Sequence, residues 1–479
     1  MSPWDRRRVI QTLLGAAALP LAGSCSGAAR RRTRSATEPE ILEPLVRRAA
    51  DELIATYPQA SVLMRTIDAA RAERSADEHS LDRGAEKWLR LRAKNGSRWR
   101  EVWTSRVTDV GIAEAVADLR RLLGPGRRTT PRSRDSDHGR ELEPVLTTMA
   151  DQALDGPVEA LFTALSQLPS SRLIRRTARL ESIDRHDLFI DSNVERKQRF
   201  VNHRLTASVV ASTGTAPAEA TTAVGAGSLE GLAIPRKQLE ETESWALALL
   251  TARQAPRGPS SLVLSSPVSA LLFGACLAPC LDGSTWTGNS AFADDANRDL
   301  RSPLLTITDD PRGREYGSLH FDDEGLIAES TTLVDAGKVT AALGRGRSSR
   351  ARRYRQPGGQ WRGHPTRMVV GPGADSLTAL MQRVGSGILV EGPIAASIDR
   401  RTLDFSVRAS RGLGIDKGTL SGRLYGSLQV RGNLLELLRA VVALSAEGAT
   451  LPLGLSTELP MPFSVQAPAV ATSGFVEPG

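Results

Sequence analysis

The chain of 479 residues has only three cysteines, too few for a disulfide framework, and none of them forms a Cys-x-x-Cys pair. Aromatic residues make up 4%. No uncharged apolar run reaches the ~18 residues that a membrane-spanning helix requires. These shortages exclude a secreted disulfide scaffold, a zinc ribbon and a polytopic helical membrane protein. Positive charge is also scarce where a nucleic-acid binder would need it. Of the net +8, residues 1–37 hold +6, through Arg6, Arg7, Arg8, Arg30, Arg31, Arg32 and Arg34 against Asp5. A nucleic-acid binder keeps its excess on a folded domain beside aromatic or reading elements, so no nucleic acid is expected as a partner. No Gly-x-x-x-x-Gly-Lys phosphate loop and no Gly-x-Ser-x-Gly nucleophile elbow is present. What remains is an ordinary globular balance, 40% hydrophobic and 24% charged, in a chain long enough for two or three domains.

The first 25 residues read as an export signal. Arg6-Arg7-Arg8 precede Val9-Ile10 and an apolar stretch ending at Ala22, the layout of a basic n-region and a short h-region. The paired arginines resemble the twin-arginine type. Leu21-Ala22-Gly23-Ser24-Cys25 resembles a lipoprotein cleavage box, with Ala22 where leucine is usual and Cys25 as the lipidation candidate. The expectation is export by the twin-arginine route, to the periplasm or to a membrane through a lipid anchor. A basic amphipathic tail on a cytoplasmic protein is the alternative.

Composition divides the rest. Residues 26–37 read as a disordered tether. Residues 38–255 read as an N-terminal and central α+β region. Its expected helices lie at 41–54, Ile112–Leu123, about 141–153, about 156–168 and 237–252, with a linker at about 124–140. From 256 to 479 the texture changes. Leu262-Val263-Leu264 reads as a strand and Val268–Leu277 as a helix. Short apolar runs at Leu304–Thr308, Gly317–Phe321, Leu326–Val334 and Val339–Leu343 alternate with Asp/Gly turns, the pattern of an antiparallel meander. Leu434–Leu444 reads as a closing apolar helix. Charge is segregated here, −8 over residues 282–335 and +9 over 336–374. That leaves open a groove with one positive wall, two solvated faces, or mutual pairing.

Candidate chemistry is sparse. His79, His138, His186, His203, His320 and His364 are scattered, with no pair at ligand spacing. Cys276 and Cys280 fall one helical turn apart, but apolar surroundings favour small core residues over half of a metal site. Asp322-Asp323-Glu324 has three adjacent carboxylates that cannot converge on one ion, so a structural turn is the better account.

An ordered set of motifs over residues 260–448 resembles the TldD/PmbA family of zinc-peptidase subunits and their metal-free partners. The set runs from Leu262-Val263-Leu264 and Leu271-Leu272 through Ser302-Pro303-Leu304 to Asp309-Asp310. It continues with Gly317-Ser318, Asp322-Asp323-Glu324-Gly325, Gly337-Lys338-Val339 and Pro365-Thr366-Arg367-Met368. Gly385-Ser386-Gly387 and Gly432-Asn433-Leu434 complete it. The resemblance implies an α+β protein, an N-terminal α/β portion followed by a C-terminal domain of curved, mostly antiparallel sheet with few helices. It also implies a catalytic His-Glu-x-x-x-His segment directly after Leu271-Leu272, two histidines and a later cysteine holding zinc and the glutamate activating water. Here that segment reads Phe273-Gly274-Ala275-Cys276-Leu277-Ala278, and no cysteine follows Gly448. With Phe273, Gly274 and Ala278 at the three family positions, the resemblance implies no zinc and no other cofactor. It implies a metallopeptidase homologue inactive on its own, either a subunit or a peptide-binding partner in proteolysis. A TldD/PmbA-type sister subunit, as homo- or hetero-oligomer, and an extended or unfolded peptide are the implied partners. An active peptidase with non-standard ligands and an exported stand-alone binding module are the rivals.

Overall fold

Apolar residues at every second position build the first domain from long hairpins. In the computed structural model, residues 39–126, 135–137, 151–214, 216–286, 290–313, 315–344, 353–354, 359–454 and 461–479 are described. Arg6, Arg7, Cys25, the expected tether and most of the expected linker lie outside them. Helix α1 (Pro39–Ile54) leads into strands β1 (Ala60–Arg74), β2 (His79–Asn95) and β3 (Arg98–Thr104), then helix α2 (Asp109–Leu123). The Thr108 side chain caps α2 by accepting from the Gly111 N–H, and Gly124 at φ +73° ends it. Strand β4 (Asp135–Asp137) falls inside the expected linker and pairs parallel with Val194–Arg196, so at least that part of the linker is ordered structure. Helix α3 (Asp151–Ser166) covers most of the helix expected at about 156–168 and begins before it, continuing through Pro157. Residues 141–150 lie outside the described set. Strands β5 (Leu173–Asp191), β6 (Val194–Ser212) and β7 (Pro217–Ala226) and helix α4 (Arg236–Leu249) complete the domain.

The sheet runs β3-β2-β1-β5-β6, with β4 and β7 both on β6. Its two faces have different fates. Val62, Met64, Leu89 and Leu91 pack under Val46, Leu53, Ile112 and Leu119 of α1 and α2. Farther along, Leu180, Leu205 and Val209 pack under Leu161, Leu165 and Leu239 of α3 and α4. The opposite face carries Leu63, Trp88 and Phe189 together with charged residues, and the second domain covers it.

The second domain closes a ring. Strands β8 (Gly258–Leu264), β15 (Gly387–Ile398), β16 (Asp404–Asp416), β18 (Leu428–Asn433) and β20 (Phe463–Pro478) pair in the circuit β8-β15-β16-β18-β20-β8. Helix α5 (Ser266–Leu272) packs its leucines into the enclosed core, and helix α6 (Leu377–Val384) covers Val263 and Leu389 from outside. A wing of β9 (Ile307–Asp309), β10 (Thr331–Asp335), β11 (Lys338–Val339) and β14 (Arg367–Val370) joins the ring through β14 on β20. Strands β12 (Arg353–Tyr354) and β13 (Arg362–Gly363) pair separately, β17 (Thr419–Tyr425) lies on β16, and β19 (Ala443–Leu453) lies on β20.

The architecture is α+β, as the patterning and the resemblance imply. Three expectations differ. Gly317–Phe321 is no strand: the Gly317, His320 and Phe321 N–H groups donate to the Asn202 and Gln198 side chains of the first domain, which pulls the segment out of the meander. The Leu326–Val334 run becomes strand only from Thr331. The closing helix α7 spans Leu434–Arg439 alone, because Ala443 and Leu444 are claimed by pairing with Ala471 and Val470 on β20.

Candidate functional site

At the position where the resemblance implies zinc ligands, the helix changes its winding and no ligating side chain is present. Helix α5 passes into a π-helical turn over Phe273–Leu277, in which the Ala278 N–H donates to the Phe273 carbonyl. Two residues five apart on an α-helix point about 140° apart. An i→i+5 turn brings them back toward one face. The local backbone therefore has the geometry that a pair of ligands at positions 273 and 278 would need. Phenylalanine and alanine occupy those positions, and neither has a lone pair to offer. Phe273 is fully buried, Ala278 nearly so. At Gly274 a β-carbon would lie 2.2 Å from Leu453 Cδ1 and 2.9 Å from Val465 Cγ2. The space a carboxylate would occupy is filled by hydrocarbon from β19 and β20. Cys276 and Cys280 belong to the same core, and burial pushes both thiols up to about 12. The Cys280 thiol donates to the Cys276 carbonyl at 3.3 Å. Among the described residues no group of three or more His, Cys, Asp or Glu is placed to hold a metal.

A second constellation lies where the domains meet. Arg65 donates to Asp187 at 2.6 Å and to Asp323 at 2.5 Å. Arg185 donates to Asp187 at 2.6 Å and stands 3.5 Å from Asp323. All four side chains are buried, two cations against two anions. Burial alone would lower the Arg65 guanidinium; Asp187 and Asp323 more than offset it and hold it above its ordinary value. Burial alone would raise Asp187, and Arg185 with Arg65 instead hold it well below the usual carboxylate range. Gln198 completes the group, donating to Asp187 and to the Phe321 carbonyl while accepting from the His320 and Phe321 N–H groups at 3.1 Å.

The segment 317–325 is thus a plug seated on the open face of the first sheet. Gly317 N–H donates to Asn202 at 2.8 Å. Asp322 folds the tip by accepting from the Glu324 and Leu326 N–H groups. Asp323 enters the buried cluster, its carbonyl accepts from Arg90, and Glu324 pairs with Arg92 at 2.7 Å. The Gly325 carbonyl accepts from Arg196 at 2.6 Å. Gly325 sits at φ +73°, and a β-carbon there would lie 2.2 Å from Phe189 Cε1. The three carboxylates of the acidic turn diverge to three different tasks and converge on no ion.

The remaining motif residues fasten the wing. Buried Asp309 accepts from the Thr366 and Arg367 N–H groups at 2.8 and 3.0 Å, locking β9 to β14. Met368 is fully buried between them, opposite Asp309 and Val465. Asp310 pairs with Arg312 at 2.7 Å, and Arg367 reaches Glu315 at 2.7 Å. Ser318 N–H donates to the Glu315 carbonyl. Acids of the 282–335 segment therefore pair with cations, some from the basic segment and some from the first domain. Arg65, Arg90, Arg185, Asp187 and Gln198 are missed in the sequence. Arg90 alternates with Leu89 and Leu91, the pattern of a solvent-facing side, while Arg185 and Gln198 stand among other charged and polar residues and are not set apart from them.

The profile of the PmbA/TldA metallopeptidase C-terminal domain matches residues 257–476. A metalloprotease of Methanothermobacter thermautotrophicus is 25% identical over 233 residues, 45% of this chain and 50% of that protein, so the chain spans about half the length of the curated relative it matches. In fold, TldE from Thermococcus kodakarensis superposes with a TM-score of 0.69 over 91% of this chain and 100% of that one, at 15% identity. A proposed modulator of DNA gyrase from Bacteroides thetaiotaomicron gives 0.67 over 91% and 99%, at 20% identity. The profile match assigns residues 257–476, a little under half of the chain, to the PmbA/TldA metallopeptidase C-terminal domain, and the two solved structures extend the likeness, in fold alone, to 91% of the chain.

Proposed function

We propose that this chain is a TldD/PmbA-type homologue that works without a zinc centre of its own, as a non-catalytic subunit or a peptide-binding partner in proteolysis. The observation that carries the reading is the filled centre. Phe273 and Ala278 stand where ligands would be, and Leu453 and Val465 close the space beside Gly274. A metallopeptidase of this type needs three protein ligands and a carboxylate that takes the proton of the bound water. An apolar core can perform none of those roles. The scaffold around it persists, and a sheet edge still binds an extended peptide through main-chain hydrogen bonds without any catalytic group. A sister subunit of the same family is the partner this reading implies.

Metal analysis of the purified chain, run beside cleavage of an unfolded test peptide, decides between this and the peptidase alternative. The expected result is sub-stoichiometric zinc and no chelator-sensitive cleavage. Stoichiometric zinc with such cleavage by this chain alone overturns the reading. We further propose export through the Arg6-Arg7 signal with lipidation at Cys25. Replacing both arginines by lysine is expected to leave precursor in the cytoplasm, and Cys25→Ala to abolish lipid labelling. An intact Met1 on native cytoplasmic protein sinks the export proposal.

A further inference from the structure

The β2–β3 hairpin carries a feature that neither the filled centre nor the domain junction uses to its end. Trp88, Arg90, Arg92 and Lys94 share one face of β2, and Trp99, Glu101 and Trp103 share that face on β3. The register sets Lys94 opposite Trp99, Arg92 opposite Glu101 and Arg90 opposite Trp103. A ladder of cations and rings results. The Arg92 guanidinium lies 4.2 Å from the Trp99 ring centroid and 5.7 Å from that of Trp361. Arg90 lies 5.0 Å from Trp361 and 5.8 Å from Trp103.

The inner rungs are closed: Arg90 is fully buried and Arg92 is paired with Glu324. The outer end is open. Trp99 is 41% exposed, and Arg98 and Arg100 beside it are exposed. Among the described residues, no carboxylate forms a salt bridge with Lys94, Arg98 or Arg100, and no strand pairs with the outer edge of β3.

We propose that this edge docks an acidic, extended polypeptide segment. The segment adds to β3 as a further strand, sets its carboxylates against Arg98 and Arg100 on one face, and lays an apolar side chain on Trp99 on the other. The argument is charge complementarity at a free sheet edge. Main-chain hydrogen bonds supply affinity, and alternate side chains supply selectivity. Edge cations ordinarily deter strand pairing, but that protection acts against neutral or basic strands; an acidic strand turns it into attraction. Nor does a guard against aggregation need a large ring half in water. Single-stranded nucleic acid fits less well, because it stacks on several open rings, and of this ladder Trp99 alone has an open outer side.

The inference does not depend on the filled centre, since a chain that cleaved peptides would present the same edge. The test is fluorescence anisotropy of a labelled, alternating Glu-Val peptide on the full chain, with a Lys-Val peptide and an oligothymidylate as comparisons. Arg98→Glu combined with Arg100→Glu is expected to weaken the acidic peptide at least about tenfold, and added salt to weaken it further. Trp99→Ala is expected to weaken it without altering the salt dependence. Thermal melting of each variant verifies that it remains folded. Absence of acidic-peptide binding, equal binding of the Lys-Val peptide, tighter binding of the oligothymidylate, or unchanged affinity in both variants each overturns the proposal.

Discussion

The filled centre and the domain junction are both deeply buried, and they are built on opposite principles. Around Gly274 the chain has hydrocarbon: Phe273, Leu453, Phe463 and Val465. Around Asp323 it has three guanidiniums, two carboxylates and a carboxamide, joined by hydrogen bonds. Replacing buried polar chemistry by close-packed apolar groups is often neutral or stabilising, whereas removing one member of a buried charge group leaves its partners stranded. The difference teaches where this fold tolerates loss. The position at which the resemblance implies catalytic residues is ordinary core, while Asp323 joins two domains and has no apolar substitute that satisfies Arg65 and Arg185 together.

The comparison can be broken in several ways. Asp323→Ala should have the largest effect, about 3–5 kcal/mol in denaturant unfolding, because Arg65 and Arg185 lose a shared anion in a dry site. A loss under about 1 kcal/mol would mean that water reaches the junction. Gly325→Val follows, at about 2–5 kcal/mol, because left-handed backbone strain adds to a β-carbon pressed into the Phe189 ring. An unchanged midpoint would show the plug tip to be loosely seated. Acid comes next. Burial lowers His203 to about 4, its Nδ1 within 2.7 Å of the Ser182 hydroxyl. Its folded value lies below its ordinary one, so the stability of the neutral ring is full above about pH 6.5 and falls as pH drops toward 4, at up to about 1.4 kcal/mol per pH unit. His203→Gln should flatten that slope between pH 6.5 and 4.5, and an identical slope in the variant assigns the acid sensitivity elsewhere.

At the centre itself, Gly274→Ala should cost about 1–3 kcal/mol by overpacking against Leu453. A neutral result would reveal slack in which a ligand could be rebuilt. The smallest effect belongs to the surface. Arg106→Ala, breaking an exposed pair with Glu114, should change stability by less than about 1 kcal/mol.

Much of this was legible in sequence, and the rest failed for identifiable reasons. The helices at 41–54 and Ile112–Leu123 were readable because one apolar stripe faces one core. Gly325 was readable as a left-handed turn from the acidic residues ahead of it. The partner of that turn was not, because nothing in Asp-Asp-Glu-Gly says that Arg65 and Phe189, more than a hundred residues earlier, receive it. Arg90 shows the same limit: between Leu89 and Leu91 it reads as a solvent-facing residue, and only the docked second domain makes it buried. At the centre, the substitutions were visible but their packing was not. Glycine at 274 could have left a cavity, and the structure shows Leu453 and Val465 filling it.

Strand β20 also dictates an order of events during synthesis. Its residues 463–478 pair with β8, β14, β18 and β19, and β8 was made about two hundred residues earlier. Until β20 emerges, β8 has only β15 to pair with and the ring has a gap, so its leucine-rich interior stays open. The first domain needs none of these residues and can complete its sheet while the second is still being translated. Pairings of such long sequence separation close slowly. A nascent chain stopped short of Phe463 would therefore present a finished first domain carrying an unclosed, apolar and aggregation-prone tail.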